Sequence, residues 1–193
     1  MAGDARYIAV LDACVLYPIA IADSLVSLAT AGLYAAKWSL RIEEEWITAL
    51  ENNRPDLKGK LTTRRDCMRE AIPDWEVPAL AWEPVARCIK LPDPDDAHVL
   101  AAAIAGHADS IVTTNTRHFP DAVIKPYGIE AIHPDQFIIN QWDLEPLIAV
   151  GAFKQMRARR RQPEASAEDF ARALERNGLA ATALRLREDA SLI

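Results

Sequence analysis

The stretch Asp93-Pro94-Asp95-Asp96-Ala97-His98-Val99-Leu100-Ala101-Ala102-Ala103-Ile104-Ala105-Gly106, followed after a short gap by Ser110-Ile111-Val112-Thr113-Thr114, decides the fold. Asp93 fits a helix N-cap and Pro94 the first helical position, where its missing N–H costs nothing. Val99, Leu100 and Ala103 lie three, four and seven residues after Asp96, the spacing of one helix face. Gly106 breaks that helix, and the apolar run Ser110–Thr114 reads as a strand. A helix delivered by a short link into a buried strand is half of a parallel α/β unit.

Two further runs extend the pattern. Tyr7-Ile8-Ala9-Val10-Leu11 is apolar without alternation, as in a strand covered on both faces, and it ends in Asp12. Ile129–Ile132 follows the turn at Tyr127-Gly128 and supplies a third strand. The fold class is therefore α/β: a three-layer α/β/α sandwich with a mostly parallel central sheet. Helices are expected from the Asp23-Ser24 cap to Leu33, over Arg41–Glu51, and over Leu57–Ile72, where Pro73 ends the last. Trp75–Leu91, interrupted by Pro78 and Pro84, reads as a short helix or an irregular segment. From Gln141 onward the text is helical and basic, and Pro163 and Asn177-Gly178 divide it into about three helices. The expected division is an α/β domain over 1–140 and a C-terminal helical extension over 141–193.

Composition narrows the function classes. The chain has 193 residues, half of them apolar and 26% charged, with Gly 7 and Pro 12, which fits one globular domain with an appendage and excludes collagen-like or disordered chains. No apolar run approaches the ~18 residues of a membrane span, and the N-terminus does not read as a leader, so a cytoplasmic protein without membrane attachment is expected. Cys14, Cys67 and Cys88 lack CxxC spacing and read as free thiols, outside any disulfide framework or zinc knuckle. The net charge of -6 argues against coating nucleic acid by bulk electrostatics. That sum divides along the chain, with 13 basic and 22 acidic side chains over residues 1–150 and 9 basic and 6 acidic over 151–193.

Ligands of a parallel α/β sheet gather beyond the carboxyl ends of its strands, where Asp12 and Asn115 both fall. A helix returning to a parallel strand runs antiparallel to it, so Asp96, at the start of its helix, points to the same rim. Glu45 is the fourth candidate: it shares a helix face with Ile42, Trp46 and Ala49, whereas Glu44 sits with Thr48 and Glu51. Neither Glu45 nor Asp96 is read as having a Lys or Arg at helical spacing to neutralise it. Converging carboxylates repel by about 4 kcal/mol per pair at ~4 Å and an effective dielectric near 20. Either a cation compensates or the pKa values rise. Oxygen ligands without Cys or His suit Mg²⁺ or Mn²⁺, and the chemistry implied is metal-dependent phosphodiester hydrolysis. Taken singly, Asp93, Asp95 and Asp96 decorate a helix N-terminus, Asp12 closes a strand and Glu45 is a surface glutamate. His98, His107, His118 and His133 show no paired metal spacing and read as structural or exposed.

These residues carry a resemblance. Ile8-Ala9-Val10-Leu11-Asp12, Ser39 ahead of Glu45-Trp46, the block Leu91–Ala103, and Ile111-Val112-Thr113-Thr114-Asn115 with Phe119-Pro120 resemble the PIN-domain ribonucleases, in particular VapC-like toxins of bacterial toxin-antitoxin pairs. The resemblance covers about residues 6 to 140. It implies an α/β/α sandwich, a Mg²⁺ or Mn²⁺ site and endonucleolytic cleavage of RNA. On that resemblance Asp12, Glu45 and Asp96 look like the three metal-binding acids, Asn115 takes the fourth place, and Asp93 is similar to an accessory acid. His118 stands where such proteins often carry an acid, so a second metal position lacks charge. Thr113 or Thr114 is expected to donate to the scissile phosphate. Two basic runs, Arg54, Lys58, Lys60, Arg64, Arg65 and Arg69, and Lys154, Arg157, Arg159, Arg160 and Arg161, are expected to follow the RNA backbone. The resemblance also implies a small antitoxin protein as partner, and the tail is expected to shape that surface or a homodimer.

Other classes fit less well. A haloacid-dehalogenase-like phosphotransferase needs a second Asp two residues after the first, where this chain has Cys14. A phospho-acceptor receiver wants paired acids at the first strand and a Lys after a late one, and Lys125 is poorly placed for it. The stronger rival is a catalytically weak PIN-like module that binds RNA or protein without cutting.

Overall fold

The structure, a computed structural model, describes residues 7–159 and 165–193. Its centre is a four-stranded parallel sheet built from β1 (Ile8–Leu11), β2 (Ala35–Lys37), β3 (Ser110–Val112) and β4 (Glu130–Ile132). The strand order is β2-β1-β3-β4. Val10 pairs with Ile111 and Leu11 with Val112, which puts the ends of β1 and β3 side by side. The Asp12 amide continues the ladder to Val112 O at 3.1 Å, and the Thr113 amide continues it to Ile132 O at 3.0 Å. From β1 the order runs outward to β2 on one side and to β3 and β4 on the other. The β1/β3 seam is thus the switch point at which such sheets bind ligands.

Helices surround the sheet and give the α/β/α sandwich expected. They are α1 (Ala13–Leu16), α2 (Ile19–Thr30), α3 (Leu40–Asn53), α4 (Thr62–Ala71), α5 (Ala79–Ala86), α6 (Ala97–Ala105) and α7 (Asp121–Ile124). The chain continues into α8 (Pro134–Leu144), α9 (Pro146–Ala158), α10 (Ala167–Glu175) and α11 (Ala180–Glu188). One hydrophobic core joins Val10, Ile111 and Leu100 around the sheet with Trp142, Phe153 and Phe170 of the later helices. The expected division at 140/141 falls inside α8. Pro163 lies outside the described residues, whereas Asn177-Gly178 does separate α10 from α11, with Gly178 at φ 85°.

Several element boundaries differ from the sequence reading, each for a local reason. β2 was not expected, because Ala35-Ala36-Lys37 has neither apolar bulk nor alternation and owes its strand to pairing with β1. Ser24 does not cap a helix. It lies inside α2, buried, with its Oγ donating to Ala20 O at 2.8 Å. The helix expected over Leu57–Ile72 is shorter: Pro55–Leu57 forms a 3-10 turn, and Gly59 at φ 71° interrupts the chain before α4. Gly106, by contrast, is required by space, since a Cβ there would lie 2.9 Å from Ala102 O and 3.0 Å from a Val77 methyl.

Candidate functional site

Asp12 directly follows β1 and is 5% exposed. Its Oδ2 accepts from Thr113 Oγ1 at 2.7 Å and from the Cys14 thiol at 3.1 Å. The Thr113 hydroxyl in turn accepts the Asn115 amide at 3.0 Å, and Cys14 Sγ accepts the Thr114 amide at 3.3 Å. Burial, and after it the Asp12 carboxylate, pushes the Cys14 thiol up to about 11, so at neutral pH it stays protonated and serves as a donor. Two strand ends are thereby tied around one carboxylate. Thr113 is completely buried and spent on Asp12, which corrects the expectation that it faces a phosphate. Thr114 and Asn115 are exposed.

Asp93 caps the 3-10 turn Pro94–Asp96, its Oδ1 accepting the Asp95 amide at 3.1 Å. Asp96 closes that turn and starts α6, with Val99, Leu100 and Ala103 fully buried behind it. Asp96 Oδ2 bonds His118 Nδ1 at 2.7 Å, and Asp93 Oδ2 lies 3.8 Å from the same nitrogen. Donor atoms of Asp93, Asp96 and His118 all lie within 4.8 Å of one another. Burial first, then the charges of Asp12 and Asp93, hold the Asp96 carboxyl above its ordinary range, against the lowering effect of His118. Asp12 and Asp93 therefore both act on Asp96 electrostatically at one rim.

Glu45 stands differently from the sequence reading. Its Oε1 accepts from Arg41 Nε at 3.1 Å and from His98 Nε2 at 2.9 Å. Burial alone would raise the Glu45 carboxyl, but the His98 bond and charge, followed by those of Arg41, outweigh it and hold the group below its ordinary range. The expectation that Glu45 has no cation at helical spacing is corrected by Arg41, one turn earlier. The deepest acid of α3 is also another one. Glu43, 4% exposed, shares the buried stripe with Ile42 and Trp46 and pairs through both oxygens with Arg69 of α4. Only a partner from a second helix makes that burial tolerable, and single-helix spacing does not reveal it.

The histidines divide. His98 is buried, as a structural histidine would be, and His133 accepts the Asp135 amide at the start of α8. His118 departs from expectation by joining Asp93 and Asp96. Its signal was its place three residues after Asn115, in the 3-10 turn Thr116–His118 that swings it back to the rim.

The basic runs expected to follow RNA are largely engaged elsewhere. Arg54 pairs with Asp56, Arg65 with Asp66 and Arg69 with Glu43. Arg64 lies over the Trp46 ring at 4.6 Å and donates to Leu16 O and Tyr17 O, and burial pushes its guanidinium down to about 10. Lys154 donates to Leu192 O, Arg157 to Ala165 O and Ile193 O, and Arg159 to Asp23 and Ser27. Arg160 and Arg161 lie outside the described residues. A groove of about 750 Å³ between α2, α4 and α9, lined by Val26, Met68 and Ala152 among others, shares no lining residue with the acidic rim.

Set against known proteins, residues 9–117 match the PIN domain, a span of more than half the chain. The chain belongs to the PIN-domain family. Behind the PIN domain, residues 134–188 match the VapC50 C-terminal domain. The chain is also similar to a protein of Mycobacterium tuberculosis strain H37Rv named "Putative ribonuclease VapC50", at 59% identity over 49 residues. That match covers 25% of this chain and 29% of the relative, less than a third of either. No solved structure matches. Together these matches make the chain a VapC-like PIN protein. Its cysteines are free among the described residues, and no helix there is long and apolar enough to cross a membrane.

Proposed function

We propose that this PIN domain is a metal-dependent endoribonuclease that hydrolyses RNA phosphodiester bonds and acts as the toxin of a toxin-antitoxin pair in the cytoplasm. The observation that carries the reading is Asp96, whose carboxyl is raised by burial and by Asp12 and Asp93 at the switch point of the sheet, with no Lys or Arg paired to it among the described residues. Such unspent negative charge calls for a cation.

The donors fit a hard divalent ion: carboxylate oxygens dominate, with one imidazole at the edge. Asp12, Asp93, Asp96 and Glu45 would hold Mg²⁺ or Mn²⁺, which supplies, when bound, the Lewis acidity that phosphodiester hydrolysis needs. Thr113 and Cys14 fix Asp12 through Oδ2 and keep it oriented. Exposed Asn115 follows the seam and would meet a phosphate oxygen. With the arginines of the basic runs engaged, Lys58, Lys60, Arg87, Lys90 and Arg117, which have no ion partner among the described residues, remain to meet the RNA backbone. On this reading 1–140 carries the reaction and 141–193 is an extension, and a small co-encoded antitoxin silences the enzyme.

The test is end-mapping of a labelled RNA with Mn²⁺ and with chelator, for the wild type and Asp96→Asn. New ends that need Mn²⁺ and fall about 10²–10³-fold in Asp96→Asn are expected. Equal cleavage by both proteins in chelator overturns the proposal. A gel shift without new ends would instead favour the RNA- or protein-binding module, the reading that His118 on Asp96 supports.

A further inference from the structure

Among the described residues, Glu45 is held by only one of its two oxygens. Oε1 receives both Arg41 Nε and His98 Nε2, and Oε2 receives neither. The two donors are unequal. Arg41 belongs to the same helix and its side chain is 55% exposed, so it is an i, i+4 surface contact that solvent competes for. His98 comes from α6, is 8% exposed, and packs with its ring centroid 6.1 Å from that of Trp82 on α5.

The rest of the His98 ring gains nothing from being polar. Its Nδ1 is buried and has no hydrogen-bond partner among the described residues, a cost that a leucine of similar size would avoid. Among the described residues, the single bond this buried imidazole makes is the bond to Glu45. His98 also stands two residues after Asp96 on the opening of the same helix. One rigid segment thus carries one acid of the site and the anchor of another acid that comes from α3.

We infer that His98 is a positioning residue: it holds Glu45 through Oε1 and leaves Oε2 to a divalent ion. The inference rests on the nuclease reading and gives Glu45 its place in that site. Glu45 is the residue that meets the ion, and His98 acts through it.

The experiment is calorimetric titration of Mn²⁺ into the metal-free full-length protein, with circular dichroism to verify folding, for the wild type, His98→Leu, His98→Gln, Arg41→Ala and Asp96→Asn. Removing a partner behind a metal ligand lowers affinity by about tenfold or more, which is the result expected for His98→Leu. His98→Gln, whose Nε2 also donates, should stay within about threefold of the wild type. Arg41→Ala should change it by less than about twofold, the worth of an exposed i, i+4 pair. In a Glu45→Gln background His98→Leu should cost nothing more, because there is no longer a carboxylate to position. Should His98→Leu fail to fold, His98→Asn, polar but too short to reach Oε1, takes its place with the same expectation. Wild-type affinity in the folded His98→Leu or His98→Asn protein, an equal loss in the Glu45→Gln background, or no recovery by Gln overturns the inference. Mn²⁺ binding that needs Asp96 but ignores His98 leaves the nuclease reading standing, whereas no Mn²⁺ binding by the wild type, or binding indifferent to Asp96→Asn, removes both.

Discussion

The rim at the β1/β3 seam and the flank between α3 and α4 hold the same chemical group in opposite circumstances. On the flank, buried Glu43 meets Arg69, whose guanidinium also covers the Trp75 ring at 4.8 Å. At the rim, Asp96 meets Asp12, Asp93 and one imidazole. A carboxylate whose two oxygens both go to a guanidinium from another helix ties two helices together and has nothing left to offer a ligand. One crowded by other carboxylates weakens the empty fold and gains from a cation. The contrast separates framework acids from site acids without any appeal to depth, for Glu43 and Asp12 are about equally buried.

The largest effect should come from breaking the flank. Glu43→Ala leaves Arg69 without its partner and should cost about 2 kcal/mol in urea unfolding, below the full cost of orphaning a buried ion because the Arg69 side chain is a third exposed. Mn²⁺ affinity should not change. A variant of unchanged stability that has lost metal binding would erase the distinction drawn between the two regions.

A smaller effect sharpens the rim itself, in chelator and as a function of pH. The folded Asp96 carboxyl is raised above its ordinary 3.8, so its contribution to stability is present below that value and is lost as pH rises through the folded pKa. Asp96→Asn should therefore gain on the wild type as pH rises through that window. Glu45 is lowered from its ordinary 4.5, so its contribution is present above 4.5 and lost as pH falls through the folded pKa. Glu45→Gln should lose against the wild type as pH rises. Both differences should be under about 1 kcal/mol, because the carboxyls are part-exposed. Parallel rather than opposite slopes in the two variants would contradict the assignment.

The smallest effect belongs to the tail. Arg187 pairs with Glu168 and Glu175 across α10 and α11, all at the surface. Arg187→Ala should shift the melting temperature less than any of the three variants above, and 0.5 M salt should remove the difference.

Much of this was legible in the residues. Unalternated apolar runs ending in Asp12 and leading to Asn115 gave the parallel sheet, and the Asp93–Ala105 block placed Asp96 at the carboxyl edge. What escaped was set by partners distant in sequence. β2 has no strand signal of its own, Glu43 depends on Arg69 from another helix, and His118 reaches Asp96 through a turn whose path periodicity does not encode. Arg41 lies within helical reach of Glu45 in the sequence, although the apolar neighbours of Glu45 dominate that face.

The helix α8 bears on how the molecule can be dissected. It runs from Pro134 to Leu144 straight through the border suggested by composition, and Trp142 on it stacks on Phe153 with ring centroids 5.1 Å apart. A stop codon after residue 140 would amputate that aromatic pair and leave a stump of helix with its greasy side unsheathed. Workers seeking a minimal catalytic fragment should expect inclusion bodies from such a cut, and the loss would report on solubility rather than on chemistry.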